Sequence, residues 1–276
     1  MIKIQIKKEN ILDVDFTIES GDFLALSGVS GSGKTTLLRV LAGLESADGN
    51  IEVDSEVWLD SKHSLAPQKR GIGFVFQDYA LFENMSVLQN LLYVKKDQKL
   101  AQKLLQITEL SELKNRLPKT LSGGQKQRVS LCRAMMKEPK LLLLDEPLSA
   151  LDSTMRTKLQ EEILVLHKEF KTTTILVSHE PSEIYKLCSK MILLSNGKII
   201  KKGTPKEILL KTNGSQKFSF SGELLEIKKV DVIFIAIISI GQQLVEIVVN
   251  ENEIKELKIG QIITISSKAF SPTISY

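Results

Sequence analysis

The chain has 276 residues, of which 42% are hydrophobic and 25% charged, and 37 basic against 33 acidic residues give a formal charge of +4. This composition excludes a disordered, collagen-like or disulfide-scaffold chain. The lysines are dispersed along the sequence, so the mild basicity predicts no nucleic-acid partner. The two cysteines, Cys132 and Cys188, are too few for a disulfide framework, and we expect both to be small buried side chains in a reducing compartment.

The sequence contains no apolar run that could cross a bilayer. The longest, at residues 232–238, falls far short of the roughly 20 residues that a transmembrane helix needs. Residues 1–10 alternate between apolar and polar side chains and lack the apolar core of a signal peptide. Any role at a membrane is therefore expected to depend on a partner.

The first predicted elements open an α/β unit. Apolar and polar residues alternate at 2–7 and again at 12–18, on either side of a polar turn at 8–10, and predict paired strands. A short apolar run at 23–26 enters a glycine-rich loop, and helical periodicity follows at 35–44. The order strand, loop, helix is typical of α/β proteins.

The remaining elements divide into a helical stretch, buried strands and a β-rich tail. Helical periodicity dominates residues 87–136, and short apolar runs predict buried strands at 141–144 and 174–177. The Ser-Asn-Gly at 195–197 predicts a hairpin between strands at 191–194 and 198–201. A polar linker is predicted at 211–221. Four runs rich in Ile and Val then predict a small β domain, at 223–227, 231–240, 244–249 and 261–266.

The glycine-rich loop between the third strand and the first helix matches the phosphate-loop pattern without a mismatch. Its glycines let backbone N–H groups curl around phosphates, and the helix N-terminus adds positive charge. Lys34 is expected to reach the β- and γ-phosphates, and the Thr35 hydroxyl to ligate Mg²⁺. The candidate nucleotide-binding residues are Gly28, Val29, Ser30, Gly31, Ser32, Gly33, Lys34, Thr35 and Thr36.

Two carboxylates, Asp145 and Glu146, end the apolar strand at 141–144. Alone, the pair could equally mark a strand that ends at the surface in acidic residues. Beside a phosphate loop it predicts chemistry, because a hard cation next to phosphates requires such a carboxylate. Asp145 is therefore a candidate for the Mg²⁺ site, through water, and Glu146 is free to orient or deprotonate an attacking water.

A second glycine-rich helix start follows at residues 121–125. Two adjacent glycines open an apolar helix and predict another anion site at a helix N-terminus. One nucleotide does not easily need two such sites from one chain, so this one is expected to serve the nucleotide of a neighbouring subunit. Its candidate residues are Leu121, Ser122, Gly123, Gly124 and Gln125.

With this pentapeptide the sequence resembles the ATP-binding-cassette (ABC) ATPases, in which it is the family signature. Other family markers occur in the expected order, at Gln77, Asp152 and His179. The resemblance covers roughly residues 1–210 and implies an α/β P-loop cassette with a RecA-like core, an antiparallel β subdomain and a helical subdomain at about 83–137. We accordingly predict an ATP-binding domain at 1–212 and a small all-β domain at 213–276.

The resemblance also implies roles for these residues. Two chains would face each other head to tail, each ATP lying between the Lys34 loop of one and the Ser122–Gly124 loop of the other. Asp152 would lie at the dimer seam. Glu146 would be the general base, and His179 would contact the γ-phosphate. Gln77 would join Thr35 and Asp145 at Mg²⁺ and couple the site to the membrane partner. Without the resemblance, Gln77 and His179 could each be structural, and His63 and His167 keep that interpretation.

Two further segments resemble the importer ATPases. Residues 68–82 are similar to the segment that precedes contact with the coupling helix of a permease, although Glu83 stands where many relatives have Pro. The β-rich tail is similar to the oligomer-binding-like (TOBE/Mop-like) domain of oxyanion, sugar and polyamine importers, and residues 267–271 to its molybdate-binding version. The tail lacks a clear ligand motif, so a dimer-contact or structural role is favoured over oxyanion sensing.

The short turn at residues 8–10 offers no aromatic ring of the kind that family members use to stack on adenine. Phe16 falls on the apolar face of its strand and is expected to be a core residue. A similarly shortened N-terminus occurs in the molybdate branch. The turn therefore favours that branch and predicts weak discrimination between ATP and GTP.

These features favour the ATPase of an importer for molybdate or a related oxyanion. Such a protein works as a dimer on the cytoplasmic face of the membrane, with permease subunits and, indirectly, an external solute-binding protein. The alternatives are an importer ATPase for sulfate, iron, polyamine or sugar, a soluble ABC ATPase acting on ribosomes or DNA, and a regulatory module without turnover. Soluble relatives usually carry twin cassettes or a long coiled-coil insertion, and the presence of Glu146 and His179 argues against a module without turnover.

Overall fold

A ten-stranded mixed sheet organises the first 210 residues. The computed structural model describes residues 1–210, 218–230, 233–241 and 243–267, and the chain divides into two units, Met1–Leu210 and Lys211–Tyr276. The strands of the first unit are β1 (Ile2–Lys8), β2 (Leu12–Ile18), β3 (Phe23–Gly28), β4 (Asp48–Val53), β5 (Glu56–Leu59), β6 (Ile72–Val75), β7 (Leu141–Asp145), β8 (Thr173–Val177), β9 (Lys190–Ser195) and β10 (Lys198–Gly203).

The sheet has an antiparallel part and a parallel part. Its strand order is β5-β4-β1-β2-β10-β9-β3-β8-β7-β6. The five strands from β9 to β6 run parallel, whereas β1, β2, β4 and β5 pair antiparallel. Because the carboxyl ends of parallel strands meet at one edge, the residues that follow β3, β6, β7 and β8 are brought close together.

Among the described residues, seven α-helices lie in the first unit and one lies in the second. They are α1 (Lys34–Leu41), α2 (Val87–Val94), α3 (Gln98–Ile107), α4 (Gly123–Met135), α5 (Ser153–Phe170), α6 (Pro181–Leu187), α7 (Pro205–Leu209) and α8 (Glu251–Glu256). The predicted helical stretch at 87–136 is three helices, since Asp97 caps a new start by accepting a hydrogen bond from the Leu100 N–H at 3.0 Å. None of the helices among the described residues has the length and apolar character needed to cross a membrane.

Alternation along the central strands creates two apolar cores, one on each face of the sheet. In β3, Phe23 and Ala25 join one cluster with helices α2 to α6, whereas Leu24 and Leu26 join the other with α1 and the antiparallel strands. Phe16 is buried in the second cluster, as predicted. Strands covered on both faces explain why 141–144 reads as a continuous apolar run.

The second unit contains a four-stranded antiparallel sheet. Its strands, β11 (Phe218–Val230), β12 (Ile233–Ile240), β13 (Gln243–Val249) and β14 (Ile262–Ser267), are arranged in the order β13-β12-β11-β14. Among the described residues, the buried centre is formed by Leu224, Ala236, Ile238 and Val249. The antiparallel β sheet predicted for the tail is confirmed.

The tail differs from the prediction at its linker and by one added helix. The linker predicted at 211–221 is wrong for its last four residues, because pairing of β11 with β14 extends the strand back to Phe218. The segment 211–217 and most of the molybdate-like segment 267–271 lie outside the described residues. Helix α8 was not predicted, since its six residues are too few to display helical periodicity.

Candidate functional site

The glycine-rich loop joins β3 to the start of α1. Gly28, Gly31 and Gly33 have φ angles of 149°, 77° and 96°, in the region that favours glycine. A side chain at Gly28 is excluded, because its Cβ would lie 2.2 Å from the Leu194 carbonyl oxygen. Gly33 is the N-cap of α1 and leaves the first amides of the helix without a side-chain partner. The loop therefore offers backbone N–H groups to an anion.

Lys34 folds back over the loop that precedes it. Its Nζ donates hydrogen bonds to the carbonyl oxygens of Gly28 and Val29, both at 2.9 Å, and lies 3.5 Å from the Ser32 hydroxyl. Both Lys34 and Ser32 are buried. The ammonium is thus held at the loop by acceptors from which a stronger anionic ligand can displace it.

Thr35 and Asp145 meet at the carboxyl end of β7. The Thr35 hydroxyl donates a hydrogen bond of 3.2 Å to the Asp145 Oδ1. Burial raises the pKa of Asp145, as does the neighbouring Glu146, while the Thr35 bond lowers it. Two hard oxygen ligands lie side by side, and a cation would offset the cost of burying the carboxylate. These residues therefore fit a Mg²⁺ ion.

Glu146 has a strained backbone that its surroundings hold in place. Its φ of 47° lies in the left-handed region, which costs a non-glycine residue about 1 kcal/mol or more. Its N–H donates to the Val177 carbonyl at 3.2 Å, and its own carbonyl accepts from the Ser149 hydroxyl at 2.9 Å. Its Oε1 lies 3.8 Å from the Nδ1 of His179, which follows β8 and is 61% exposed. Glu146 is thus fixed beside His179.

One cleft collects most of the predicted site residues. It has a volume of about 570 Å³ and is lined by Ile11, Gly28, Ser30, Gly31, Gly33, Lys34, Thr35, Thr36, Gln77, Glu146 and His179. Asp145 and Ser32 are buried behind this lining. Val29 and the segment 121–125 are absent from it, as is Asp152. The structure therefore brings the phosphate loop, Gln77, Glu146 and His179 together and leaves the second glycine-rich helix start elsewhere on the first unit.

Ile11 is a cleft residue that the sequence did not reveal. It follows the polar turn at 8–10, is 42% exposed and lines the cleft. Two glycines lie close to its carbonyl oxygen, which would be 3.2 Å from a Cβ at Gly33 and 2.0 Å from one at Gly197. Ile11 could not be predicted as a cleft residue, because an isoleucine directly after a turn belongs to no recognisable binding motif and has no aromatic ring.

The second glycine-rich helix start, at α4, is closed by its own side chains. The Ser122 hydroxyl accepts from the Gln125 N–H at 3.3 Å, and the Gln125 side chain accepts from the Ser122 N–H at 2.9 Å. This is a capping box, which satisfies two otherwise unpaired donors. Gly124 allows close packing, because a Cβ there would lie 2.9 Å from the sulfur of Met155.

Asp152 is the N-cap of α5. Its Oδ1 accepts a hydrogen bond of 2.9 Å from the Met155 N–H. Since Met155 also lies against Gly124, the start of α5 and the start of α4 are neighbours on the surface of the first unit. This juxtaposition groups the segment 121–125 with Asp152, away from the cleft.

His167 and the two cysteines have structural surroundings, whereas His63 is exposed. His167 packs its ring 4.9 Å from that of Phe23, its Nδ1 lies 3.0 Å from the Thr174 hydroxyl, and burial lowers its pKa. Cys132 and Cys188 are buried and not in a disulfide. Burial raises the pKa of Cys132 to about 12 and that of Cys188 further. The prediction that both cysteines are small buried side chains is confirmed.

Comparison with known proteins agrees with this geometry. The family described as ABC transporter matches residues 11–149. A sulfate/thiosulfate import ATP-binding protein of Agrobacterium fabrum is 40% identical over 77% of this chain and 64% of its own length. A molybdenum import ATP-binding protein of Saccharophagus degradans is 43% identical over 73% of this chain and 58% of its own. The chain therefore spans about three fifths of the length of these curated relatives.

Solved structures share the fold of the first unit. The ATP-binding cassette MJ0796, described as dimeric, post-hydrolysis and bound to ADP and Pi, is 28% identical with a TM-score of 0.63, over 74% of this chain and 99% of that one. The cbiO1 protein of Clostridium perfringens, described as part of an ABC transporter complex, is 26% identical with a TM-score of 0.66, over 75% and 90%. The predicted P-loop cassette fold is confirmed.

A shorter relative extends the match to most of a whole protein. The probable sulfate/thiosulfate import ATP-binding protein of Chlorella vulgaris is 42% identical over 71% of this chain and 85% of its own length. The phosphate loop, the carboxylates after β7 and the segment 121–125 all lie within the matched family region. This chain belongs to the ABC transporter family.

Proposed function

We propose that this chain is the ATP-hydrolysing subunit of a membrane importer. The observation that carries the proposal is the cleft, in which the Lys34 loop, the Thr35–Asp145 contact and Glu146 meet at the ends of parallel strands. The curated relatives named above are import ATP-binding proteins, which supports import over other uses of the fold. The substrate of the cleft itself is ATP.

The residues of the cleft divide the work of phosphoryl transfer among them. Lys34 exchanges its loop carbonyls for the β- and γ-phosphates, and the free amides at the start of α1 bind the same oxygens. Glu146 takes a proton from the attacking water, which a general base must reach directly or through one water. His179, held beside Glu146, contacts the γ-phosphate and keeps the geometry in place.

The Mg²⁺ ion of the proposed reaction would be held by Thr35, Gln77 and Asp145. Thr35 and Asp145 supply adjacent oxygens, and Gln77 lines the same cleft with an amide. When bound, the ion supplies positive charge that offsets the charge of the phosphates. Asp145, buried behind the lining, keeps the Thr35 hydroxyl oriented toward that position.

A second copy of the chain is the proposed partner of each cleft. The segment 121–125 carries the family signature but does not line the cleft of its own chain. In a head-to-tail dimer it would contact the ATP bound to the other copy, with Asp152 at the seam. The dimeric description of the MJ0796 cassette supports this arrangement. ATP would favour the closed dimer because it contacts both copies only there.

The helical part of the first unit supplies a proposed contact with a permease. A groove of about 600 Å³ is lined by Asn84, Met85, Gln89, Leu92, Tyr93, Lys96 and Gln98. Tyr93 is 64% exposed, and its ring lies 4.6 Å from that of Phe82. Residues 78–82 lead directly from Gln77 to this groove. A permease segment bound in this groove would be coupled to Gln77 through residues 78–82. This contact would hold the protein peripherally on the cytoplasmic face of the membrane.

The loop before this groove is ordered although Glu83 replaces the proline of many importer ATPases. Asn90 is fully buried and accepts from the Phe82 N–H at 2.9 Å. Its amide donates to the carbonyls of Phe82 at 3.1 Å and Met85 at 3.0 Å. A fourth hydrogen bond runs from the same amide to the Ser86 carbonyl at 3.1 Å. One buried side chain thus holds the loop, so the missing proline does not argue against a permease contact.

We propose molybdate or a related oxyanion as the transported solute. The sulfate/thiosulfate and molybdenum relatives support an oxyanion, and the short turn at 8–10 favours the molybdate branch. The 41% identity to a spermidine/putrescine import protein of Aggregatibacter actinomycetemcomitans keeps a polyamine as the alternative, beside iron and sugars. The external solute-binding protein and the permease, rather than this chain, would select the solute.

Uptake measurements test the solute. Molybdate, tungstate and sulfate uptake would be compared in cells with and without this protein. The proposal expects loss of molybdate and tungstate uptake, while loss of sulfate uptake alone would refute the molybdate preference. Unchanged uptake of all three, together with co-purification on ribosomes, would favour the alternative of a soluble ABC ATPase.

Nucleotide choice is a second consequence of the cleft. Ile11 offers an apolar surface but no aromatic ring, so the base is held by contacts that adenine and guanine share. We expect comparable hydrolysis of ATP and GTP by the purified protein. A strict preference for ATP would contradict this expectation.

The domain assignment belongs to the same proposal. Residues 1–212 form the ATP-binding domain, with the helical subdomain at about 83–137, and residues 213–276 form a TOBE/Mop-like domain. Within the described part of the second unit, the sheet has a buried centre of four apolar residues. The sequence of the tail lacks a clear ligand motif. A dimer-contact or structural role is therefore preferred for it.

A further inference from the structure

One buried hydroxyl ties together both sides of the loop that carries His179. Ser178 follows β8, and its Oγ accepts a hydrogen bond from the Glu180 N–H at 3.0 Å. The same oxygen donates to Oε2 of Glu183 at 2.7 Å. Because Ser178 and Glu180 flank His179 in the chain, the backbone on either side of the imidazole depends on this oxygen.

Glu183 connects the loop to a different helix. Its carboxylate is buried in the first turn of α6, and its second oxygen, Oε1, lies 3.5 Å from the Nε of Arg156 in α5. Burial raises the pKa of Glu183, the Ser178 hydrogen bond and Arg156 lower it, and Glu180 and His179 have smaller opposite effects. The Arg156 guanidinium is therefore the strongest cationic partner of a carboxylate that carries the His179 loop.

Arg156 in turn reaches the loop that ends at Asp152. Its guanidinium donates to the Leu151 carbonyl at 3.3 Å, and its backbone N–H bonds the Asp152 carbonyl at 2.9 Å. Asp152 itself caps α5. A continuous series of contacts thus runs from the loop at 151–152 through Arg156, Glu183 and Ser178 to the two neighbours of His179.

We propose that Glu183 and Arg156 are positioning residues that make the orientation of His179 depend on the loop at 151–152. The inference rests on the proposed function, in which Asp152 lies at the dimer seam and His179 contacts the γ-phosphate. Neither Glu183 nor Arg156 lines the cleft, so both act through His179. The Arg156–Glu183 contact, at 3.5 Å, is the longest in the series.

A spectroscopic test needs no ATPase activity. The chain has three histidines, His63, His167 and His179, so a histidine-labelled sample gives an imidazole NMR spectrum that single replacements can assign. Glu183→Gln and Arg156→Met are expected to shift the His179 resonances and leave those of His63 unchanged. Glu112→Gln, which neutralises an exposed carboxylate outside the series, is the matched control and should shift none of them.

A kinetic test measures the consequence for turnover. Both variants are expected to lower kcat about tenfold while KM for ATP stays within about twofold, because ATP binding does not use either residue. The thermal unfolding midpoint is measured alongside. It should fall for Arg156→Met, which leaves the buried Glu183 carboxylate without its cation, and fall less for Glu183→Gln, which removes that charge. Arg156→Lys keeps the positive charge and should retain more turnover than Arg156→Met. Because it is a conservative change at a partly exposed residue, it can also replace Glu183→Gln in the test if that variant fails to fold.

The outcomes separate this inference from the proposed function. His179 resonances that do not move in any of the variants would overturn the positioning role. Proportional changes in kcat, KM and the unfolding midpoint would also overturn the positioning role. That pattern is expected if Glu183 and Arg156 only stabilise the fold. A wild-type protein that does not hydrolyse ATP would refute the proposed function, and the NMR spectra would still decide whether Glu183 and Arg156 position His179.

Discussion

Two helices of the first unit, α1 and α4, begin with similar glycine-rich sequences but differ in how their first backbone amides are capped. At α1, Gly33 is the N-cap and no side chain occupies the first amides of the helix. At α4, Ser122 and Gln125 close a capping box over the equivalent groups. The first start faces the cleft with Lys34 folded over it, and the second lies beside Met155 and Asp152.

The difference shows which of the two helix starts can bind a phosphate within a single chain. Free amides beside a lysine are suited to bind phosphate without help from another molecule. A capped start is stable without a ligand, and an arriving phosphate must compete with Ser122 or bind through the glycine N–H groups. This agrees with the proposal that α1 holds the nucleotide and α4 joins it only when a second copy approaches.

The largest predicted effect concerns turnover at the α1 cleft. Glu146→Gln removes the proposed general base and should lower kcat for ATP hydrolysis by about 10²- to 10⁴-fold. ATP affinity should remain close to that of the wild type, because Glu146 does not belong to the phosphate loop. Steady-state ATPase assays and titration with a fluorescent ATP analogue measure the two quantities, with Glu112→Gln as control. Full activity in Glu146→Gln would remove the proposed role.

The second effect concerns binding at the same helix start. Lys34→Ala removes the ammonium that is held by Gly28 and Val29, and ATP affinity should fall about 10- to 100-fold, as expected for a lost charged hydrogen-bonding group. Titration calorimetry measures the change. Lys99→Ala, at an exposed position of α3, is a control for the loss of one lysine. Equal affinity in Lys34→Ala and the wild type would mean that α1 is not the nucleotide site.

The third effect tests α4 against a matched helix. Ser122 and Ser86 form the same capping box, at α4 and α2 respectively. Replacing either by Ala should reduce the free energy of unfolding by about 1 kcal/mol. ATPase turnover should fall further for Ser122→Ala than for Ser86→Ala, because only Ser122 belongs to the proposed contact with the second nucleotide. Equal turnover in the two variants would assign Ser122 a capping role alone.

The smallest effect concerns a group remote from both helix starts. Burial holds the pKa of His167 below its ordinary value, so the unfolded chain takes up a proton first as pH falls through about 6.5. Stability from this residue is therefore present at neutral pH and lost on acidification. His167→Gln should show a smaller fall in melting temperature between pH 8 and pH 5.5 than the wild type. Parallel curves would contradict this account.

The phosphate loop and the carboxylates after β7 could be predicted from the sequence because their spacing is set by backbone geometry. Lys34 must follow Gly33 where a strand turns into a helix, and Asp145 must end a buried strand. The two apolar cores follow in the same way from alternation along β3 and β7. In these places the local pattern and the tertiary role agree.

Other features depend on contacts between distant segments and carry no local pattern. Strands β4 and β5 escaped prediction because polar residues such as Asp48 and Asn50 hide their alternation. Ile11 reaches the cleft only because Gly33 and Gly197 approach its backbone. The hydrogen bond from Ser178 to Glu183 joins residues that are close in sequence. Its connection to the loop at 151–152 depends on the contact with Arg156 of another helix, which the sequence does not reveal.

The central claim is that a complete site needs α1 from one copy and α4 from another. Light scattering of Glu146→Gln measures this directly, because ATP should bind to this variant and be hydrolysed only slowly. The account predicts a mass near the monomer value of 30.8 kDa without nucleotide and twice that value with ATP and Mg²⁺. The additional replacement Lys34→Ala should restore the monomer. A monomer that persists at saturating ATP in Glu146→Gln would contradict the account.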